Sequence, residues 1–313
     1  MDKINIDLSI IGLGAASYAA ALYAVRYQIP TLMIGEDFGG ETATGGLIEN
    51  YPGVPEIDGY DLMLNMKQQV ENYNIKTINE NALSIEKKDA SFLIKCSEKT
   101  TIESKSIILG IGRERRKLNL ENEEELTGKG VSYCSTCDAP LYKDKITAVV
   151  GGGNAAIEGA LLLSKYSTEV YLIYRGNKIY RPEPVLLRHL DESKNINILL
   201  NTKISKIIGN NESGLKSIET ENGNKTKNIN IDGLFIEIGA DPRLKIPNQL
   251  GLKINPTTNE VHVNNLMETN IEGIFAAGDL TDASGNLKQT VTAAGQGAIS
   301  ALSAYNYLSQ IQK

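Results

Sequence analysis

The chain opens with a clear change in the pattern of apolar and polar positions. The apolar run in INIDLSII is rich in β-branched residues and predicts a strand, and the alanine-rich segment after it predicts a helix. A second apolar run at 31–34 predicts the next strand. A strand, a helix and a strand in this order form a βαβ unit.

The same pattern returns in the middle of the chain. Apolar runs at 146–150 and 170–173 predict two further strands with a helix between them. Near the C-terminus, a short strand in GIFAAGD precedes a turn and a helix, on which Ile299, Leu302 and Tyr305 recur at three-residue intervals on one face. The predicted fold class is therefore α/β, with two Rossmann-like dinucleotide-binding domains.

Composition narrows the classes of partner. With 313 residues, 41% hydrophobic and 22% charged, the chain has an ordinary globular composition, and its length predicts roughly two domains. A formal charge of -6 argues against nucleic acid or an anionic membrane as a partner. The apolar stretch from Leu8 to Val25 is interrupted by Gly12, Gly14 and Ser17 and has no basic cluster before it, so we expect no targeting or membrane segment there.

The turn after the first strand has the spacing of a pyrophosphate site. Gly12 permits a tight turn, and Gly14 allows the backbone to approach a pyrophosphate at the start of the helix, followed by Ala15 and Ala16. Glu36 lies about 20 residues beyond Gly14, where an acid accepts from a ribose 2′-OH. The first site is predicted to bind FAD or NAD; the alternative is a glycine turn that merely packs tightly.

The second unit has the same glycine turn, but a basic residue follows its second strand where the first unit has an acid. Gly151 and Gly153 follow the strand at 146–150 and precede Asn154-Ala155-Ala156. Arg175 lies about 20 residues beyond Gly153, where a guanidinium suits a 2′-phosphate better than a hydroxyl. The second site therefore favours NADPH.

A third feature is the strand that ends in Gly278-Asp279. An acid at the carboxyl end of a strand, beside a helix N-terminus, can bind a polyol hydroxyl while the helix stabilises charge on a neighbouring ring. This arrangement suits the ribitol and pyrimidine edge of a flavin. The alternative is that Asp279 is a helix cap.

The three cysteines indicate redox chemistry in a reducing, cytoplasmic setting. Cys134 and Cys137 form a CxxC pair and Cys96 stands alone in SFLIKCSE. Zinc needs about four ligands, and the remaining candidates, Cys96, His189 and His262, are scattered. A structural disulfide closing so short a loop would contribute little. With two nucleotide sites in the same chain, the pair is predicted to be a redox-active dithiol.

The order of motifs over the whole chain resembles that of the low-molecular-weight thioredoxin reductases. The most discriminating motif is the CxxCD just before the second glycine turn. The other matching stretches are GLGAAS, GGETATGGLIENYPG, GKGVSYCSTCD, GGGNAAIEGA, GLFIEIGADP, GIFAAGD and KQTVTAAGQG.

The resemblance implies a role for individual residues. Cys137 would face the flavin, Cys134 would attack the partner disulfide, and Asp138 would shuttle the proton; the alternative for Asp138 is a turn or N-cap acid. The cofactor-binding residues implied for FAD are Gly12, Gly14, Ala15, Ala16, Glu36, Gly40, Glu41, Thr42, Asn50, Gly112, Gly278, Asp279, Lys288, Gln289 and Thr290. Those implied for the nicotinamide cofactor are Gly151, Gly153, Asn154, Ala155, Ala156, Arg175, Lys178 and Arg181.

Three departures from the family pattern bear on the electron donor. Tyr174-Arg175-Gly176 stands where NADPH-specific members have His-Arg-Arg, Glu41 replaces a glutamine, and Lys288 replaces an arginine. We therefore expect weak NADPH use, with NADH possible. Three alternatives stay open: a ferredoxin-like protein as the donor, a peroxidase-linked disulfide carrier as the acceptor, and a non-enzymatic dinucleotide sensor.

The motifs also predict the domain organisation. Flavin features lie at both ends, so the nucleotide domain with the CxxC is predicted to be inserted into the FAD domain. The expected boundaries are 1–116 and 246–313 for the FAD-binding domain and 117–245 for the NAD(P)-binding domain. The resemblance further implies a homodimer, a rotating inserted domain, and a thioredoxin-like protein as partner.

Overall fold

The chain divides into two units, with the second inserted into the first. The computed structural model describes residues 2–96, 100–180 and 182–311. One unit comprises Met1–Glu114 and Pro242–Lys313, and the other comprises Arg115–Asp241. The chain passes from one unit to the other twice, through two short strands that pair with each other.

The secondary structure contains the two predicted βαβ units, together with strands and helices that the sequence analysis did not single out. The strands are β1 (Asp2–Ile11), β2 (Thr31–Ile34), β3 (Leu47–Ile48), β4 (Ile57–Asp58), β5 (Lys76–Ile78), β6 (Ser84–Lys87), β7 (Phe92–Lys95), β8 (Thr100–Leu109), β9 (Arg113–Arg115), β10 (Val131–Ser132), β11 (Ile146–Val150), β12 (Glu169–Ile173), β13 (Ile196–Leu199), β14 (Lys203–Asn210), β15 (Gly214–Asn222), β16 (Lys225–Asn230), β17 (Gly233–Ile236), β18 (Ala240–Pro242) and β19 (Ile274–Ala276). The helices are α1 (Ala15–Arg26), α2 (Gly40–Ala43), α3 (Gly59–Glu71), α4 (Ser135–Asp138), α5 (Asn154–Leu163), α6 (Pro184–Glu192), α7 (Lys245–Leu250) and α8 (Thr290–Ile311), with 3₁₀ turns at Ala139–Tyr142 and Gly278–Leu280.

The discontinuous unit contains a seven-stranded sheet in the order β5-β2-β1-β8-β7-β6, and β19 also pairs with β8. Strands β5, β2, β1, β8 and β19 are parallel, whereas β6 and β7 are antiparallel additions. The successive residues Ile107, Ile108 and Leu109 of β8 are all fully buried. Such a continuous apolar run is expected where a parallel strand is covered on both faces.

The inserted unit contains a five-stranded parallel sheet in the order β10-β17-β11-β12-β13, together with a three-stranded antiparallel sheet, β14-β15-β16. Val149 of β11 and Leu172 of β12 are fully buried, and helix α5 packs beside them through Ala156, Ile157 and Ala160. The carboxyl ends of β11, β12 and β17 therefore lie along the same edge of this sheet, near the start of α5.

Helix α8 packs through its small residues and not through the apolar face noted in the sequence. A Cβ on Gly297 would lie closer than 3.0 Å to the backbone oxygen of Ala16 in α1, so the two helices approach closely. Ile299, Leu302 and Tyr305 lie on the exposed side of α8. Close helix contact thus selects glycine, alanine and serine for the buried face.

The apolar stretch Leu8–Val25 is accounted for by the end of β1 and by most of α1. Among the described residues no helix has the length and hydropathy that a membrane span requires.

We expect Cys96→Ser to destabilise the protein, although Cys96 stands alone in the sequence and makes no disulfide. Cys96 is 3% exposed in the core cluster of the large sheet, so a serine hydroxyl there would cost roughly 1–3 kcal/mol. Burial also raises the pKa of the Cys96 thiol from 9.0 to about 11. The unfolded thiol ionises first, so the stabilisation from Cys96 is present below pH 9 and is lost as the pH rises through about 11.

Urea unfolding of wild type and Cys96→Ser at pH 7 and at higher pH measures this effect. The difference between the two proteins should be largest at pH 7 and should narrow above pH 9. Cys96→Ala is the control for loss of the sulfur alone. Equal stability of Cys96→Ser and wild type at pH 7 would contradict the burial argument.

Candidate functional site

The first glycine turn is held by close backbone contact. Gly12 has a φ of 111°, and a Cβ there would lie closer than 3.0 Å to the backbone oxygen of Gly110, which follows β8. Gly14 is the N-cap of α1 and supplies no side-chain cap, and the space around its Cβ position is open. The first amides of a helix have no partner within it, and the space beside Gly14 leaves room for an anion that could accept from those of α1.

Glu36 lies two residues after the end of β2, at the same edge of the sheet, and its carboxylate accepts a hydrogen bond from the side chain of Asn81. Asn81 was not predicted from the sequence. Its position on a loop after β5 gives no spacing signal, because the contact arises from the pairing of β2 with β5.

Two loops that are far apart in sequence meet beside α2. The hydroxyls of Thr42 and Thr290 are 3.0 Å apart, and the side-chain amide of Asn50 donates to Gln289 at 3.2 Å. Gly40 has a φ of 55° and its Cβ position lies 3.6 Å from the Cα of Gly14. The structure thus brings together the loops of Glu41, Asn50 and Gln289 with the first glycine turn.

Asp279 lies in the 3₁₀ turn Gly278–Leu280, well before α8 begins at Thr290, so it is not the cap of that helix. Burial raises the pKa of its carboxyl group. The positive charges of Arg113 and Lys288 act in the opposite direction and lower this pKa. Among the residues that the structure describes, none donates a hydrogen bond to this carboxylate. A half-buried acid of this kind can accept from a ligand hydroxyl.

A buried carboxylate behind Asp279 was missed by the sequence analysis. Glu260 is 2% exposed and pairs with Arg113 and with Lys288, whose Nζ also donates to the backbone oxygen of Thr281 at 2.6 Å. Gln296 was missed as well; it accepts from the backbone N–H of Gly278 at 2.7 Å. Lys288 therefore supports the Asp279 turn.

The second glycine turn repeats the construction of the first. Gly151 has a φ of 150°, and a Cβ there would lie closer than 3.0 Å to the backbone oxygen of Glu237, which follows β17. Gly153 is the N-cap of α5 without a side-chain cap, in open space. The side chain of Asn154 exchanges two hydrogen bonds with Glu183, its amide donating to the carboxylate at 3.1 Å and its oxygen accepting from the backbone N–H at 3.0 Å.

Tyr174 occupies the position next to this turn. A Cβ on Gly152 would lie closer than 3.0 Å to the ring of Tyr174, and a Cβ on Gly176 would lie 2.6 Å from its Cε1. Arg175 and Lys178 are exposed on the loop after β12. Arg181, the third predicted phosphate ligand, lies outside the described residues.

The two cysteines of the CxxC form a disulfide at the start of α4. The Cα atoms of Cys134 and Cys137 are 5.3 Å apart, and Sγ of Cys134 accepts from the backbone N–H of Cys137 at 3.1 Å. Cys137 is exposed and Cys134 is half-buried. Asp138 follows at once and its side chain makes no cap hydrogen bond, which does not favour the N-cap alternative. Within the described ranges no group of three or more His, Cys, Asp or Glu side chains could hold a metal ion.

Glycine turns at the ends of parallel strands and an accessible disulfide define a nucleotide-binding disulfide oxidoreductase. A family model described as "Pyridine nucleotide-disulphide oxidoreductase" matches residues 6–297, and the chain belongs to this family.

Similar proteins cover the whole chain. Thioredoxin reductase from Buchnera aphidicola is 38% identical over 325 residues, covering 99% of this chain and 100% of that protein. The crystal structure of Lactococcus lactis thioredoxin reductase has a TM-score of 0.91 at 30% identity, covering 97% of this chain and 99% of that one. In Staphylococcus epidermidis, a component of alkyl hydroperoxide reductase is 33% identical over 308 residues, and this chain spans 60% of its length.

These similarities confirm the predicted fold class of two Rossmann-like domains and the resemblance to the thioredoxin reductases. They also confirm the predicted class of function, a flavoprotein disulfide oxidoreductase, and so an enzyme. The assignment of individual residues to a cofactor stays a prediction.

We expect Gly12→Ala and Gly14→Ala to differ sharply although they lie two residues apart. Gly12→Ala places a Cβ against the backbone of Gly110 at a positive φ, which should destabilise the fold by several kcal/mol, on the order of 3. Gly14→Ala meets nothing within 4 Å, so the stability should change by less than about 1 kcal/mol. Thermal unfolding of both variants measures the difference; similar melting temperatures would contradict the close contact at Gly12.

Proposed function

We propose that this enzyme is a thioredoxin reductase, which uses a reduced nicotinamide to reduce the Cys134–Cys137 disulfide and then a thioredoxin-like protein. The observation that carries the proposal is the accessible disulfide on the same unit as the second glycine turn. The thioredoxin reductases that match over nearly their full length support it.

FAD fits the discontinuous unit. The open amides at Gly14 suit a pyrophosphate, and the half-buried Asp279 carboxylate suits a ribitol hydroxyl. When bound there, FAD would supply the two-electron chemistry that links the nicotinamide to the disulfide. We assign its binding to Gly12, Gly14, Ala15, Ala16, Glu36, Gly40, Glu41, Thr42, Asn50, Gly112, Gly278, Asp279, Lys288, Gln289 and Thr290.

The nicotinamide cofactor is assigned to the inserted unit. Gly151, Gly153 and the start of α5 at Asn154-Ala155-Ala156 would receive its pyrophosphate. Arg175 and Lys178 would supply the charge for a 2′-phosphate, together with Arg181 from outside the described residues. Gly176 adds no charge, so we propose NADPH use with little preference over NADH.

The two sulfurs of the dithiol have different proposed roles. We assign Cys137 to the flavin side and Cys134 to the partner. The Cys134 thiolate attacks the disulfide of the partner and forms a mixed disulfide, and one partner sulfur leaves as a thiolate. Cys137 then attacks Cys134, so the pair returns to the disulfide and the partner leaves with two reduced sulfurs, one protonated from Cys137 and the other from water. Asp138 is assigned to hold the proton that Cys137 gives up and to pass it to the leaving thiolate.

The oligomeric state, location and protein partners of the enzyme are also proposals. We propose a homodimer in the cytoplasm that binds no nucleic acid and no membrane. A ferredoxin-like donor is not favoured by the relatives. The similarity to a component of alkyl hydroperoxide reductase keeps a peroxidase-linked carrier as the second candidate acceptor.

Cys134→Ser and Cys137→Ser should each abolish reduction of thioredoxin while NADPH still bleaches the flavin at 450 nm, because the dithiol acts after the flavin. Wild type should show both activities. Thioredoxin turnover that survives in Cys137→Ser would overturn the roles assigned to the pair, and a wild type without bound flavin would overturn the proposal as a whole.

Gly176→Arg should lower the KM for NADPH by about tenfold and leave that for NADH unchanged, because a second guanidinium would contact the 2′-phosphate. The Cβ at position 176 must displace the Tyr174 ring, so Gly176→Ala is the matched control for this steric change. Steady-state kinetics with both nucleotides measures the effect. An equal change of KM in the Arg and Ala variants would show that the ring, and not the charge, controls binding.

A further inference from the structure

A buried carboxylate that the sequence analysis did not select contacts the redox segment. The side chain of Glu237 is 5% exposed. Its Oε1 accepts from the hydroxyl of Ser135 at 2.9 Å and from the backbone N–H of Ser135 at 3.4 Å, and its Oε2 pairs with Arg115 at 2.8 Å. Ser135 lies between the two cysteines, directly after Cys134.

The backbone of Glu237 is fixed from the other side by the second glycine turn. Its N–H donates to the backbone oxygen of Val150 at 2.9 Å, and its own oxygen lies against Gly151, where no Cβ could fit. Ser135 is in turn confined by α5, since a Cβ on Gly159 would lie 2.5 Å from its Oγ. One residue therefore joins the end of β11, the glycine turn and the CxxC segment.

We propose that Glu237 is a positioning residue for the dithiol, which holds the Cys134–Cys137 segment through Ser135 and keeps a negative charge beside it. This inference rests on the proposed function. Arg115 keeps the carboxylate in place and offsets part of its charge.

The charge of Glu237 acts on the reduced form of the pair. Reduction of the disulfide takes two electrons from the reduced flavin and up to two protons from water, and gives a dithiol that loses a proton to become a thiolate. A neighbouring carboxylate disfavours the thiolate and so favours the disulfide. Asp138 lies on α4 directly after Cys137, and Glu158 on α5 lies near Glu237: burial raises the pKa of Glu158, and the charges of Glu183 and Glu237 raise it further.

Two variants separate charge from position. Glu237→Gln keeps an oxygen for Ser135 and removes the charge, which leaves Arg115 facing an amide. We expect the thiol–disulfide equilibrium to shift about tenfold toward the dithiol, or about 30 mV for a two-electron couple.

Ser135→Ala keeps the charge and removes the hydroxyl contact. We expect this equilibrium to move less than threefold, while thiol exchange with thioredoxin slows by about tenfold.

The measurement is equilibration of the full-length holoenzyme in glutathione buffers, followed by alkylation and a mass count of the modified Cys134 and Cys137. Stopped-flow mixing of the reduced enzyme with oxidised thioredoxin gives the exchange rate. Melting temperature and flavin content verify that each variant is folded. If Glu237→Gln does not fold, Ser135→Ala decides the outcome.

A matched control lies in the same unit. Glu219 also accepts from a serine hydroxyl, that of Ser205 at 3.0 Å, and pairs with Lys206 at 2.9 Å, but it lies on the antiparallel sheet. Glu219→Gln and Ser205→Ala should leave both measurements unchanged. Wild-type values in Glu237→Gln and Ser135→Ala, or a shift of Glu237→Gln toward the disulfide, would overturn the positioning role. Failure of the wild-type disulfide to accept electrons from a nicotinamide would overturn the proposed function instead.

Discussion

The approach of two strand ends, too close to admit a Cβ, is the constraint on which both glycine turns depend. In one unit, Gly12 meets the backbone that follows β8, and in the other, Gly151 meets the backbone that follows β17. Each contact fixes the turn between a strand and a helix. The amide groups at the start of α1 and α5 are thereby directed to the edge of the sheet where the strands end.

The two units use the residue opposite the glycine in different ways. In the discontinuous unit this residue is Gly110, which has no side chain, and its backbone oxygen accepts from the hydroxyl of Ser17 at 3.3 Å. In the inserted unit it is Glu237, whose side chain extends to Ser135 beside Cys134. The same backbone contact thus supports a glycine turn alone in one unit, and a glycine turn together with the disulfide in the other.

Local pattern was sufficient to predict the two βαβ units and their glycine turns. The strands expected at 31–34 and 146–150 are β2 and β11, and that expected at 170–173 is β12, longer by one residue. These segments are short, and their continuous apolar runs are expected for strands buried in a sheet. The glycine spacing and the CxxC pair are local as well.

The supporting polar groups could not be predicted in this way. Glu260 is 147 residues from Arg113, and Glu237 is 102 residues from Ser135, so only the strand order brings each pair together. Tyr174 was visible as a departure from the family pattern, but its packing between Gly152 and Gly176 depends on the loop conformation. The apolar residues Ile299 and Leu302 satisfied a helical period and yet are exposed, because the contact with α1 selects small residues.

The pairing of β9 with β18, where the chain passes between the two units, has a consequence for how such a chain can be assembled. Neighbouring strands lie about 4.8 Å apart, and these two strands pair where the chain leaves the discontinuous unit and where it returns. Removal of the inserted segment would leave two chain ends close enough for a short linker to join them. Insertion or excision of a whole unit at this point would therefore leave the strand order of the sheet that contains β1 and β8 unchanged.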